Sequence, residues 1–376
     1  MRRRFWMKRM VTSSMPLVAG YGSVFGKLIR KDIRKGRLDA AVAVLDAAVN
    51  SQQVAAAVLH VAQKNEAATH CFGGAKSADS MFLLGSISKP VCVTALMTLF
   101  DQHLFQLDDR LRKIIPEFTG DGRDDITIRH LLTHVSGLPD QLKENNQLRA
   151  KHAGLDEFIA HALRTPLKFQ PGRHYEYSSM GILLATHVAE RITGKPISEF
   201  VDETVFRPLS LKRSAQGTGQ FRREDLVDVQ TESAAPESGG GDPNAAGWDW
   251  NSGYWRNLGA PWGGTHMSAP DLARFLNEFL HAGGAVIKPE TAQLMIRNHN
   301  PEGLIPRGIG FHVGAKAGSR GCSERTFGHT GSTGTLAWAD PETDTICVVL
   351  TSLPGHAVRP HPREVAGDAV AGAVAE

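Results

Sequence analysis

Two residues three apart give the first chemical signal in this sequence. Ser86 and Lys89 stand in Leu84-Gly85-Ser86-Ile87-Ser88-Lys89-Pro90, directly ahead of an apolar stretch at residues 91–100. On a helix, side chains three positions apart share a face, so the lysine amine can reach the serine hydroxyl. A serine in the first turn also lies among backbone N–H groups without intrahelical partners, which favour a developing oxyanion. The lysine serves as a base only where burial or another cation lowers its pKa. The spacing alone leaves a second reading open, with Ser86 as a helix cap and Lys89 as a solvated charge. Average composition yields about one such match in a chain of this length. Pro90 weighs against a plain cap and helix, because it disfavours helical geometry at Lys89 and removes a backbone donor.

Two further elements give that spacing company. Tyr175-Glu176-Tyr177-Ser178-Ser179-Met180-Gly181 leads into an apolar helix at residues 182–192, which puts Tyr177 and Ser179 on the entering loop. Phe327-Gly328-His329-Thr330-Gly331-Ser332-Thr333-Gly334 leads into a strand. In this order and at these separations, the three elements resemble those of the serine β-lactamase and penicillin-binding-protein family. The resemblance is strongest to its class C-like branch, which includes the family VIII carboxylesterases. The branch's Y-x-N or Y-x-S element is matched by Tyr177-Ser178-Ser179, and its K-T-G element, or a substitute such as H-T-G, by His329-Thr330-Gly331. Other matching blocks are Arg129-His130-Leu131-Leu132-Thr133-His134-Val135-Ser136-Gly137-Leu138, Pro208-Leu209, and the ten residues from Gly263 to Leu272. The resemblance runs from about residue 54 to residue 353.

The resemblance implies acyl transfer with no cofactor and no metal. Ser86 attacks a carbonyl, and a covalent acyl-enzyme forms and is hydrolysed. Lys89 and Tyr177 together act as the base, the lysine holding the tyrosine near its anionic form. The backbone N–H groups of Ser86 and Ser332 hold the oxyanion. Ser179, His329, Thr330 and Gly331 contact the substrate.

Two departures from the pattern bear on specificity. Where the β-lactamases carry a lysine that meets a substrate carboxylate, this chain has His329, largely neutral at pH 7. Where asparagine is usual, it has Ser179, which lacks the amide that would orient an acylamide side chain. Both changes weaken recognition of an anionic amide and leave Ser86, Lys89 and Tyr177 untouched. A carboxylesterase on small, neutral acyl esters is therefore the preferred expectation, with a β-lactamase or D-Ala-D-Ala-directed peptidase on the same centre as the alternative. A binding protein that has lost catalysis is disfavoured, because all three catalytic side chains are present. The alternative for His329 is a strand-end histidine satisfied by backbone partners.

Several other features invite a functional reading. His130 and His134 are four apart and could share a metal, but no third ligand is evident, so a packing role is expected. Trp262-Gly263-Gly264 imitates another form of the third element, but is expected to precede a helix rather than a strand. The aromatic cluster Trp248, Trp250, Tyr254, Trp255 and Trp262 could line an acyl pocket or pack a long loop. No G-x-S-x-G elbow occurs, which disfavours an α/β-hydrolase lipase.

Elements must position these residues. Helical spacing of apolar residues predicts helices over 38–49, 91–100, 155–164, 180–193, 197–205 and 269–280. Strands are expected at 54–62, at 69–72 after a turn at 64–66, and at 335–339 and 346–351 around Asp340-Pro341-Glu342-Thr343-Asp344. Residues 233–244, rich in Gly, Pro, Ser and Ala, read as an exposed connection. The strands at the two ends should join in one antiparallel sheet flanked by helices, an α+β fold with a mainly helical lobe inserted. The expected boundaries are a basic tail or leader at 1–30, the sheet domain at 31–107 and 262–376, and the lobe at 108–261. The cleft between them is the natural place for a site.

Composition excludes some partners. The 376 residues carry a formal charge of +3, too small to argue for nucleic acid. Much of the positive charge lies in Arg2, Arg3, Arg4, Lys8 and Arg9 and again from Lys27 to Arg37. The stretch after that leader is broken by Pro16 and several glycines, a poor export signal, so the cytoplasm is favoured and export stays open. No run approaches the length of a membrane span. Cys71, Cys92, Cys322 and Cys347 form no C-x-x-C pair, and Cys92 and Cys347 lie in apolar runs that suggest burial. The implied partner is a small-molecule ester, amide or β-lactam; oligomeric state is open.

Overall fold

Short apolar runs near each end of the chain form the centre of one antiparallel sheet. The computed structural model describes Gly36 and residues 38–375, so the basic leader at 1–30 lies outside the described residues. In chain order the strands are β1 (Ala56–Gln63), β2 (Glu66–Gly73), β3 (Phe82–Leu83), β4 (Ser214–Gln216), β5 (Thr265–Met267), β6 (His312–Val313), β7 (Phe327–Gly331), β8 (Thr335–Asp340) and β9 (Thr345–Thr351). The helices are α1 (Asp39–Asn50), α2 (Ser88–Asp101), α3 (Ile128–Leu132), α4 (Asn145–Ala150), α5 (Leu155–Ala162), α6 (Ser179–Thr193), α7 (Ile197–Val201), α8 (Gly253–Leu258), α9 (Ala269–Leu280), α10 (Pro289–Met295) and α11 (Pro362–Ala375).

The main sheet has the order β2-β1-β9-β8-β7-β6. Its seam is the pairing of β1 with β9, where Val58 faces Leu350 and His60 faces Val348. The two ends of the sequence thus meet at the sheet's centre, as the strand patterning implied. Successive side chains on a strand point to opposite faces, and both faces here are covered. Val58, Ala337, Val348 and Leu350 join the core built with α2, α6 and α9. Ala57, Leu59, Leu336, Trp338 and Val349 join a second core under α1 and α11. The first core runs without a break from the sheet into the helices around the cleft.

Some elements differ from the sequence expectation. A second sheet, ordered β3-β5-β4, was not anticipated, because strands of two or three residues are too short to show a period. Trp262-Gly263-Gly264 therefore precedes a strand, β5, and only then α9. The helix expected over 197–205 is α7 followed by a wider π turn at Asp202–Phe206. Residues 233–244 are not a simple exposed connection. Ala234 and Ser238 are buried, and Asn145 Nδ2 and Arg149 Nη1 both donate to the Glu237 carbonyl, at 2.8 and 2.7 Å. Backbone and side-chain hydrogen bonds, rather than an apolar stripe, hold this segment. The C-terminal helix α11, rich in alanine, valine and glycine, was also not foreseen. All four cysteines are free, with Cys92 and Cys347 buried as expected. Among the described residues no helix is long and apolar enough to cross a membrane.

Candidate active site

The nucleophile element sits on a short 3₁₀ turn, Gly85–Ile87, that runs straight into α2. Pro90 lies within the first turn of α2, where a missing backbone donor costs little. Ser86 makes no capping hydrogen bond; its Oγ accepts from Lys89 Nζ at 2.9 Å. The capping reading therefore gives way. Gly85 has φ +56°, and a Cβ there would lie 3.0 Å from the Ser332 nitrogen. Glycine lets the chain turn and lets the strand β7 approach the serine. Two buried hydroxyls clamp that approach: Thr333 Oγ1 donates to the Leu83 carbonyl at 2.6 Å, and Thr335 Oγ1 to the Leu84 carbonyl at 2.7 Å.

Lys89 is fully buried at the start of α2, donating also to the Trp262 carbonyl at 3.0 Å. Its Nζ stands 4.7 Å from the centre of the Tyr177 ring. Burial lowers its pKa to about 7; the Asp140 carboxylate opposes that shift and the Arg307 guanidinium adds to it. Burial pushes the Tyr177 phenol up, and the nearby Ser86 hydroxyl only partly offsets this. The Tyr177 hydroxyl is buried without a hydrogen-bond partner of good geometry. The arrangement therefore favours a neutral phenol beside an amine that titrates near neutrality, rather than the tyrosinate that the resemblance implied.

Tyr177 is placed by the residues on either side of it. Ser178 caps α6 by accepting from the Gly181 amide at 2.9 Å and donates to the Pro139 carbonyl at 2.9 Å. The Ser178 amide donates to His134 Nδ1 at 3.1 Å, and the His134 ring lies 4.6 Å from the Tyr177 ring. His130 accepts from the Thr127 amide at 3.3 Å in the capping box of α3. The two histidines thus serve separate local structures. Ser179 donates through both its amide, at 2.9 Å, and its hydroxyl, at 2.6 Å, to Asp140 Oδ1.

A cleft of about 150 Å³ opens over Ser86, lined also by Asp140, Gln141, Tyr177, Ser179 and Ser332. Glu237 and Ser238, from the segment expected to be a bare connection, form part of its wall with Arg149. Of the aromatic cluster, Trp250, Trp255 and Trp262 line the cleft. Trp248 packs on Arg149, and Tyr254 stacks on His152 with rings 4.7 Å apart, so the cluster divides between pocket and packing. Ser332 is exposed, and its amide makes no backbone hydrogen bond among the described residues.

Of the third element and the residue after it, Ser332 reaches the cleft wall. His329, Thr330 and Gly331 do not line the cleft. His329 is 2% exposed, donates from Nδ1 to the Thr330 carbonyl at 2.7 Å, and leaves Nε2 buried without a partner. Its ring lies 4.0 Å from His312 and 6.1 Å from Tyr177. Burial, then the Arg307 and Lys89 cations, hold its pKa well below the usual imidazole range. Gly331 packs so tightly that a Cβ would fall 2.0 Å from the Leu84 carbonyl oxygen. Sequence reasoning missed Asp140, although it follows the quoted block by two residues, and Arg307, which lies in a segment with no periodicity.

The same architecture occurs in known proteins. An Escherichia coli (strain K12) protein, whose name assigns it provisionally as a D-alanyl-D-alanine carboxypeptidase, is 25% identical over 289 residues. That match covers 69% of this chain and 66% of the relative. Esterase EstB of Burkholderia gladioli is 32% identical over 200 residues, 47% of this chain and 50% of the relative. The chain thus spans between half and two thirds of the length of these relatives. The crystal structure of a penicillin-binding protein homologue from Caulobacter crescentus superposes with a TM-score of 0.75 at 21% identity, covering 92% of this chain and 99% of that one. The profile described as Beta-lactamase matches residues 38–371, from α1 to α11 and across every element that builds the cleft, and the chain belongs to that family of serine hydrolases.

Proposed function

We propose that the protein is a carboxylesterase that cleaves small acyl esters through a Ser86 acyl-enzyme. Lys89, with a pKa of about 7, takes the Ser86 proton across their 2.9 Å hydrogen bond as the hydroxyl attacks the ester carbonyl. The negative oxygen is held by the Ser86 and Ser332 amides at the turn where β7 meets the nucleophile element. Tyr177, kept protonated by burial, donates to the departing alkoxide and recovers its proton from the Lys89 ammonium 4.7 Å from its ring. Water then enters, Lys89 again accepts a proton, and the acid leaves.

The observation that favours an ester over an anionic β-lactam or peptide is the charge of the cleft's third-element side. His329 is buried, neutral and outside the cleft, while the carboxylates Asp140 and Glu237 line it. A substrate carboxylate gains no cation from the third element and meets the Asp140 and Glu237 side chains, while Arg149 in the same wall is already engaged with the Glu237 and Trp248 carbonyls. The volume, about 150 Å³, is of the size that holds a single aromatic ring, which suits a short acyl group. The similarity to Esterase EstB supports the same reading.

The test compares a short-chain p-nitrophenyl ester with a chromogenic cephalosporin, using the native chain and Ser86→Ala. Fast ester turnover and slow cephalosporin turnover are expected, with the ester activity falling at least about 10⁴-fold in the variant. Ester turnover that survives Ser86→Ala removes the mechanism. Dominant cephalosporin turnover moves the protein to the β-lactamase reading.

A further inference from the structure

We propose that Arg307 is a positioning residue for this centre: a buried guanidinium without a carboxylate partner, set behind Tyr175 and Tyr177, that keeps Lys89 in its neutral, proton-accepting form. The proposal rests on the reading of Lys89 as the base.

Arg307 is 4% exposed and lies just before β6, bridged to His312. Its Nε donates to the Tyr175 hydroxyl at 3.0 Å, and Nη2 contacts the same oxygen. Its Cζ lies 5.4 Å from the Tyr175 ring centre and 5.3 Å from that of Tyr177. Nη1 is buried with no partner. Buried Arg123 and Arg256 reach the carboxylates of Asp121 and Asp228, and buried Arg149 reaches two carbonyls, whereas the Arg307 guanidinium reaches a single phenol oxygen and leaves Nη1 unpartnered. The charge–charge contacts among the described residues include no carboxylate for Arg307. A buried charge without its counter-ion is costly unless something else compensates, and two aromatic faces compensate only in part. A buried guanidinium beside two ring faces, with one amino group unpartnered, points to an electrostatic task.

The neighbours indicate what that task is. Lys89 touches Ser86, the Trp262 carbonyl and the Tyr177 ring, whose centre lies 4.7 Å from its Nζ and 5.3 Å from Arg307 Cζ, and the charges that bear on it are those of Asp140, Arg307 and the buried Cys92 thiol. Asp140 favours the ammonium, and Arg307 is the cation that opposes it. The same guanidinium bears on His134, His312 and His329, all buried and all held well below the usual imidazole range, so none of the three adds a competing charge. Arg307 also favours the phenolate of Tyr177 against the effect of burial, which eases proton donation from that hydroxyl. With Arg307 gone, Asp140 acts on Lys89 unopposed, and the amine holds its proton to higher pH.

The experiment measures kcat/KM for a short-chain ester as a function of pH in the native chain, Arg307→Met and Arg307→Lys. In Arg307→Met the acid limb is expected to move up by about one pH unit, a roughly tenfold loss at any pH below the limb. Its alkaline plateau should stay within about threefold of the native value, the scale of a modest positioning change. Arg307→Lys should keep the native limb. Arg307→Gln, which retains a donor for Tyr175, serves as the neutral variant if Arg307→Met does not fold. An unmoved limb with an evenly lowered plateau overturns the proposal and leaves Arg307 a packing residue. Ester turnover that persists in Ser86→Ala defeats the functional reading itself, whereas an unmoved limb with Ser86→Ala inactive defeats only the role of Arg307.

Discussion

Lys89 shows how a catalytic residue can work against the fold that holds it. Burial takes its amine from an ordinary 10.5 to about 7. Catalysis needs the neutral form, so kcat/KM should rise about tenfold per pH unit up to about 7 and then level. The stability consequence has a definite sign. Below 10.5 the unfolded chain binds a proton that the folded chain binds less well, so the lysine destabilises the fold increasingly as pH falls, fully so below about 7. Lys89→Met should therefore abolish ester turnover while raising the unfolding free energy by about 1–3 kcal/mol at neutral pH and below. The gain should fade toward alkaline pH. Urea unfolding across the pH range checks this; equal or lower stability at neutral pH would mean that the bonds to Ser86 Oγ and the Trp262 carbonyl outweigh the cost of burial.

Among the elements, the contact between β7 and the nucleophile turn is the one on which the oxyanion site depends. Gly331 has no room for a Cβ, with the Leu84 carbonyl oxygen 2.0 Å and Thr335 Oγ1 2.2 Å from where it would lie. Both obstacles belong to the clamp that joins Leu84 to β8. Gly331→Ala must push β7 away from the turn and carry the Ser332 amide with it. The expected result is a fall in the acylation rate of about 10²-fold, the scale of losing one oxyanion donor, with KM little changed. Single-turnover kinetics with an activated ester distinguish this from a direct substrate contact, whose loss would fall mainly on KM.

For the whole molecule, the two chain ends are one structural unit. β1 pairs with β9, and α1 and α11 cover the face of the sheet remote from the cleft. Trp338 lies at the centre of that outer core, fully buried, its Nε1 donating to Ser319 Oγ at 3.0 Å. Trp338→Ala should cost about 3–5 kcal/mol of stability, the range for truncating a large buried aromatic. Because the sheet separates this core from the catalytic side, kcat of the folded fraction should hold. Denaturant titration followed by activity per folded molecule reads both; a loss of kcat that exceeds the loss of folded protein would show that the outer core reaches the site.

The sequence by itself determined those features that depend on local order. Ser86 and Lys89 are one turn apart, and their hydrogen bond follows from helical geometry once burial is granted. The terminal strands, the long helices α1, α2, α6 and α9 and the hairpin at 340–344 follow from apolar period and turn composition. Family resemblance extended this to Tyr177, whose place beside Lys89 no spacing could give, since it lies 88 positions further along the chain. Only the tertiary structure decided which groups share one low-dielectric space. Asp140 and Arg307 come to the centre from segments without periodicity, and their effect is electrostatic, acting through distance rather than order along the chain. His329 was legible as part of a motif, but its removal from the cleft depends on strand packing against His312. Residues 233–244 read as solvent-facing because hydrogen bonds from α4 to the Glu237 carbonyl, not an apolar period, fix this segment at the wall of the cleft. Local pattern reports which face of an element is apolar; it does not report which distant polar groups that burial brings together.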